Sequence, residues 1–218
     1  MTLPPALHDV LPPDAATTWQ RIAPILPSSA YLSGGTALAI HLQHRVSRDL
    51  DFFLERPVNL KQLRERLAGL GPLHVDTFDD LPGRQTLNVV FSATKLQFLE
   101  ASTLVVLEPF HEIAGVRVAG IGDLLATKLK VILDRPELRD YYDLLVIERD
   151  AHRHAEEGLA LAVRKYRPEA PDGFIANVLR GLASFGDVED DPGVPMTRDE
   201  IERYWTARVP QIVAHLER

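Results

Sequence analysis

No cysteine occurs among the 218 residues, which excludes disulfides and thiolate metal sites and leaves the redox compartment unmarked by thiol usage. No apolar run approaches the roughly 20 residues that a membrane-spanning helix needs. No basic-then-apolar leader opens the chain either, so a cytoplasmic location without membrane contact is expected. Internal repeats and low-complexity tracts are missing. An excess of positive charge is missing as well: the formal net charge is −7, which argues against broad electrostatic binding of nucleic acid. An RNA acceptor would have to be held by a local patch. What is present, 45% hydrophobic and 25% charged residues, suffices for the core of one domain or of a domain with a helical extension.

The most informative segment begins at Tyr31-Leu32-Ser33, a short apolar entry, followed by a Gly34-Gly35 turn. A helix is expected over Thr36 to Arg45, with Leu38, Ala39 and Leu42 inward. Glycines let the backbone take positive φ and let a ligand approach closely, and the free N–H groups of a helix start favour anions such as a triphosphate. Thr36 could cap this helix or touch phosphate. Val46-Ser47-Arg48 then leads into a strand-like DLDFF in which Asp49 and Asp51, two apart, share a face. Adjacent carboxylates repel and call for a cation; Mg²⁺ (or Mn²⁺) held by one or two carboxylates plus substrate phosphates is the usual solution in nucleotidyl transfer from an NTP. Alone, a Gly-Gly pair is usually a turn and an Asp-x-Asp usually a solvated strand edge. Their order, a glycine turn opening a helix and then an acidic pair beginning an apolar strand, joins them into one constellation.

Elsewhere the pattern is coarser. The Pro-rich opening to about Pro13 reads as irregular, Ala15 to Leu26 as a helix, and Asn59 to Leu70 as an amphipathic helix with a buried stripe of Leu60, Leu63, Leu67 and Leu70. Short strands are expected at Leu73 to Phe78, Thr86 to Phe91, Lys95 to Glu100 and Thr103 to Leu107. A helix follows from Gly122, capped by Asp123, and another from Pro136. Helices over Ala155 to Tyr166, Asp172 to Phe185 and Arg198 to Leu216 complete the chain. His41 and His44, like His152 and His154, lack a third ligand nearby and are expected to be packed or solvated rather than to hold a transition metal. Arg164, Lys165 and Arg167 form a compact basic cluster whose default reading is a solvated face, with RNA phosphates as the sharper one.

The stretch YLSGGTALAIHLQHRVSRDLDFF resembles the signature of the AbiEii/AbiGii-type nucleotidyltransferase toxins, a branch of the polymerase-β-like superfamily, and GDLLATKLKVILDRPELRDYYDLLVI resembles the later part of that pattern. The resemblance implies an α+β chain: a nucleotidyltransferase-fold core with a mixed β-sheet flanked by helices over residues 1–120, then a helical portion over residues 121–218 that contributes Lys128 and Asp143 to the cleft. It implies a Mg²⁺-dependent transferase that moves NMP from an NTP to an RNA (tRNA) or protein hydroxyl, acting as the toxin of a toxin–antitoxin or phage-defence pair with a separately encoded antitoxin.

The same resemblance selects Lys128 over Lys130 as the charge stabiliser for the transferred nucleotide. It brings Asp143 towards the cleft, to order Lys128 or activate the acceptor, with Arg139 and Asp140 supporting the helix; an exposed Arg139–Asp143 ion pair is the plainer alternative. Arg45 and Ser47 also match the family pattern. A planar guanidinium suits phosphate, although Arg45 could equally pair with Asp49 or Asp51. Related sequences carry a third acid where this chain has Gln97, and Glu100 lies on the opposite face of a regular strand. A bulge could bring Glu100 in, the acid could come from elsewhere, or two acidic ligands suffice. Two other functions remain open: a catalytically degenerate nucleotide- or partner-binding module, and a small-molecule nucleotidyltransferase of the antibiotic-modifying kind.

Overall fold

The computed structural model describes residues 3–134 and 136–217. They fall into two compact units: 1–104 with 109–120, and 105–108 with 121–218. The first unit opens with two helices, α1 (Pro5–Val10) and α2 (Pro13–Ile22), the latter running into a 3₁₀ turn at Ala23–Ile25. The opening is therefore helical, against the sequence expectation. Pro5 and Pro13 stand in the first turns of their helices, where a missing N–H costs nothing, so prolines that read as breakers are starters. Leu7 and Val10 of α1 and Trp19 and Ile22 of α2 are buried.

Strand β1 (Ala30–Ser33) leads directly into α3 (Gly34–Leu42), and β2 (Leu50–Leu54) returns antiparallel to β1. Helix α3 starts two residues before Thr36 and stops at Leu42, because Gln43 takes a left-handed φ of 53° while its N–H bonds to the Ala39 carbonyl. Arg45 consequently lies in the connecting loop. Helix α4 (Leu60–Leu70) is capped by the Asn59 side chain, which accepts from the Gln62 amide, and buries Leu60, Leu63 and Leu67 at the spacing expected of one helical face, whereas Leu70, expected in the same stripe, is only half-buried at the helix end.

Strands β3 (Leu73–Asp79), β4 (Thr86–Phe91) and β5 (Thr94–Glu100) form a meander, and β6 (His111–Ile113) and β7 (Val116–Val118) form a hairpin whose turn residues, Ala114 and Gly115, both have positive φ. In the described residues seven strands make one mixed sheet in the order β3-β4-β5-β2-β1-β7-β6. The pairs β2–β5 and β1–β7 are parallel and the others antiparallel. Strands β2 and β4 alternate strictly, and β5 does so as far as Phe98: Leu50, Phe52, Leu54, Leu87, Val89, Phe91, Leu96 and Phe98 are buried, and Phe52 stacks on Phe98 with ring centroids 5.1 Å apart. This is the mixed sheet with flanking helices that the sequence led us to expect.

The strand expected over Thr103 to Leu107 does not form. Val105 instead donates to the Lys165 carbonyl, and the amides of Leu107 and Glu108 donate to the Asp123 carboxylate. The apolar texture of that segment serves packing in the second unit, not a ladder. That unit holds α5 (Ile121–Asp134), α6 (Leu138–Asp150), α7 (Ala155–Tyr166), α8 (Pro171–Leu182) and α9 (Arg198–Leu216). Trp205 of α9, fully buried, donates its indole N–H to the Tyr141 carbonyl at 3.1 Å, and the Tyr141 hydroxyl reaches the Gly181 and Ser184 carbonyls at 2.9 Å each. Among the described residues no helix is long and apolar enough to cross a membrane.

Candidate active site

The first turn of α3 is not capped by the residue that precedes it. Helical geometry leaves the first amides without intrahelical acceptors, and the side chain of the capping residue, Ser33, makes no bond to them. Gly34 sits at φ +67°, a conformation that glycine adopts without strain. The two glycines are also places where no side chain fits. A Cβ on Gly34 would collide with the Asp51 carboxylate, and one on Gly35 would lie 2.5 Å from Arg45 Nη2 and 3.4 Å from Ser47 Oγ. Asp51, Arg45 and Ser47 thus converge on the Gly34-Gly35 backbone. Sheet register fixes part of this arrangement, since Asp51 on β2 stands directly opposite Ser33, the last residue of β1.

Thr36 and Ser47 hold the loop that carries Asp49. Thr36 is fully buried, and its Oγ1 lies 2.5 Å from the Asp49 carbonyl and 2.7 Å from Ser47 Oγ. A hydroxyl has one proton and a carbonyl only accepts, so the Thr36 proton goes to Asp49 and Ser47 donates to Thr36. Ser47 is fixed from the other side by its amide, which donates to the Val10 carbonyl at the end of α1 at 2.9 Å. The helix that the sequence hid therefore anchors this loop. Strand β2 starts at Leu50, so Asp49 stands one residue ahead of it rather than inside it as expected.

Gln97 on β5 pairs in register with Asp51, and β5 runs without a register shift against β2 and β4. Glu100 is not carried towards Asp51 by a bulge; its carboxylate accepts from Ser102 Oγ at 2.6 Å and from the Gln85 amide at 3.1 Å. The Ser102 hydrogen bond, ahead of the opposing effect of burial, holds its carboxyl below the usual range. Among the described residues no group of three or more His, Asp or Glu side chains could hold a metal. Of the two carboxylates expected to hold a metal, that of Asp51 lies against Gly34 at the start of α3, and Asp49 stands two residues before it. That donor set fits Mg²⁺, which binds through one or two carboxylates and takes its remaining ligands from water and phosphate.

A second cluster lies within the helical unit. Lys128 of α5 is buried, and its Nζ stands 2.7 Å from Asp140 Oδ1 and 2.7 Å from Asp143 Oδ2, both on α6. Three residues apart, the two aspartates occupy one helical face. Asp140 does double duty, since its other oxygen accepts from the Glu137 amide in a capping box that starts α6. Arg139 turns to Glu137 rather than to Asp143. A buried ammonium between two carboxylates is fixed in place, and removing it would strand two buried charges, at a typical cost of about 3–5 kcal/mol. Lys130 makes only an exposed pair with Asp134 on its own helix.

Other expectations resolve plainly. His41 Nε2 lies 2.8 Å from the Ala119 carbonyl, so it carries the proton, and the ring packs edge-on against His111. Lys165, read as part of an exposed basic cluster, is buried, 2.6 Å from Asp123 Oδ1. Asp123 is not a cap but the buried partner of Lys165 and of the 107–108 amides. A cavity of about 530 Å³ in the helical unit, lined by residues including Glu148, Glu156, Tyr204 and Arg208, went unforeseen. Arg208 bonds to both Glu148 and Glu156 there, so its charges are already paired.

The family model described as nucleotidyl transferase AbiEii toxin, of a type IV toxin–antitoxin system, matches residues 19–218. An uncharacterized protein of Aquifex aeolicus is 27% identical over 178 residues, covering 80% of each chain. Two solved structures share the fold. JHP933 of Helicobacter pylori superposes with a TM-score of 0.55 at 22% identity, covering 99% of this chain and 95% of its own. MenT4, a nucleotidyltransferase toxin of Mycobacterium tuberculosis, superposes with a TM-score of 0.54 at 19% identity, covering 94% and 84%.

Proposed function

The chain belongs to the AbiEii nucleotidyl transferase toxin family, and from that premise we propose that it transfers NMP from an NTP to an acceptor hydroxyl, with Mg²⁺ at Asp49 and Asp51. Membership implies an NTP substrate and a cognate antitoxin. The observation that carries the proposal is the convergence of Asp51, Arg45 and Ser47 on the Gly34-Gly35 backbone at the start of α3.

In this reading the amides of Gly34, Gly35 and Thr36 bind triphosphate oxygens, and the helix start adds its partial positive charge. Arg45 contributes a planar set of donors to the same phosphates. The hydroxyls of Thr36 and Ser47 act inward: their hydrogen bonds fix the backbone of Asp49, the other proposed metal ligand, two residues before Asp51. Mg²⁺, or Mn²⁺, when bound there neutralises phosphate charge and aligns the transferred group. Lys128 stabilises the charge that develops as pyrophosphate leaves, and Asp143 together with Asp140 orients its ammonium. The acceptor is an RNA (tRNA) end or a protein hydroxyl, and the cytoplasm is the compartment that supplies NTP and either acceptor.

A second reading, a nucleotide-binding module without catalysis, is favoured by one observation: neutral Gln97 occupies the register position beside Asp51. Incubation of the protein with each NTP labelled at its α-phosphate, Mg²⁺, and either bulk tRNA or the protein alone separates the two. Transfer predicts label in an acceptor that disappears in Asp49→Ala/Asp51→Ala; NTP binding with no label in any acceptor supports the module.

A further inference from the structure

A six-residue helix such as α1 falls well below the roughly 12–15 residues at which an isolated helix becomes even marginally stable in water. It exists through what it packs against. Leu7 and Val10 on the helix, with Leu3 ahead of it and Leu11 behind, are buried, and the helix packs on α2 and α3. The carbonyls of a helix's last turn have no intrahelical donor, and here Ser47 supplies one: its amide donates to the Val10 carbonyl at 2.9 Å. Ser47 belongs to residues 43–49, the segment between α3 and β2 that carries Arg45 and Asp49 and forms neither helix nor strand. Val46 beside it is 51% exposed, so that side chain adds no apolar anchor. From α1 the hydrogen bonds run in an unbroken line: the Ser47 amide to the Val10 carbonyl, Ser47 Oγ to Thr36 Oγ1 at 2.7 Å, and Thr36 Oγ1 to the Asp49 carbonyl at 2.5 Å. The matched family segment begins at residue 19, so α1 lies ahead of the pattern that identifies the family.

We propose that α1 is a clamp that positions the Asp49 loop for Mg²⁺ and NTP, acting through Ser47 and Thr36. The inference rests on the transferase reading above, since it takes Asp49 as a metal ligand. Two marginal elements that hold each other are coupled. An undocked α1 leaves the Ser47 amide without its acceptor and frees the loop, whereas a loop fixed by cation and phosphate holds α1 down in return. The coupling is reciprocal: whatever factor the docking of α1 adds to the affinity for Mg²⁺ and NTP, those ligands add to the docking of α1. Leu7, fully inside the core, is the positioning side chain, because the acceptor at Val10 is backbone.

The test is amide hydrogen exchange together with calorimetric binding on the full-length chain, with Mg²⁺ and each of the four α,β-methylene NTPs, which bind without transfer. In the wild type, ligand should slow exchange of the α1 amides and of residues 43–49 together. Leu7→Ala should speed exchange of both segments and weaken binding about tenfold, whereas Leu7→Met, which keeps the volume, should stay within about twofold of wild type. Leu67→Ala removes the same atoms from an equally buried position on α4 in the same unit. As the control for general loss of stability, it should leave loop exchange and binding within about twofold of wild type. Faster α1 exchange in Leu7→Ala with loop and affinity unchanged overturns the clamp, as does a Leu67→Ala variant with the same losses. Should Leu7→Ala fail to fold, the wild-type comparison still decides. Ligand that binds without slowing α1 exchange removes the clamp and leaves the transferase standing, whereas a wild type that binds none of the NTPs removes both.

Discussion

At the scale of single residues, the glycine pair separates backbone strain from ligand approach. Gly34→Ala forces a side chain into left-handed backbone and onto the Asp51 carboxylate, so it should lose about 1–3 kcal/mol of stability in urea denaturation together with NTP binding. Gly35 is not at positive φ, and its added methyl meets the flexible end of Arg45. Gly35→Ala should therefore keep near-wild-type stability yet bind NTP weakly by calorimetry. Two phenols give a pH signature. Burial, first of all, with the Asp140 charge behind it, pushes the Tyr141 hydroxyl to about 12, and burial does the same for Tyr166. The unfolded chain ionises them near 10, so their contribution is intact below that pH and is lost as pH rises from about 10 to 12. Alkaline unfolding that tracks tyrosinate absorbance is expected, and Tyr141→Phe should make it shallower. The sequence carried the identities and order of Gly34, Gly35 and Asp51. It could not carry what lies against them, because Asp51 reaches Gly34 only through the β1–β2 register.

At the scale of elements, most helices and strands were legible because their apolar periods are clean. The α4 leucine stripe and the alternation in β4 and β5 leave no other face to bury. Failures came where local chemistry was ambiguous. Prolines opened α1 and α2 instead of breaking them, and the 105–108 backbone gave its hydrogen bonds to Asp123 and Lys165. The Lys128–Asp140–Asp143 cluster invites a test of structure against chemistry. Lys128→Met should destabilise by about 3–5 kcal/mol, since two buried carboxylates lose their cation. Combining it with Asp140→Asn and Asp143→Asn should recover most of that stability in urea titrations without recovering transfer. Stability that fails to return would place other partners in the cluster. Transfer that does return would remove Lys128 from the chemistry.

At the scale of the whole molecule, the fold class was legible through the family resemblance, and the order of glycine-led helix, acidic strand and meander suits the mixed sheet that forms. The buried ion pairs of the helical unit were not, since Asp123 and Lys165 lie 42 positions apart and look solvated one by one. Family membership predicts that expression without the cognate antitoxin arrests growth, and that Asp49→Ala/Asp51→Ala relieves the arrest at equal protein level. The central claim, transfer rather than mere nucleotide binding, is tested most directly by pyrophosphate release from NTP in the presence of Mg²⁺ and acceptor, measured against label incorporated. The account predicts one pyrophosphate per NMP transferred, with both signals lost in the double aspartate variant. Tight NTP binding with pyrophosphate release no higher than that variant's would contradict it.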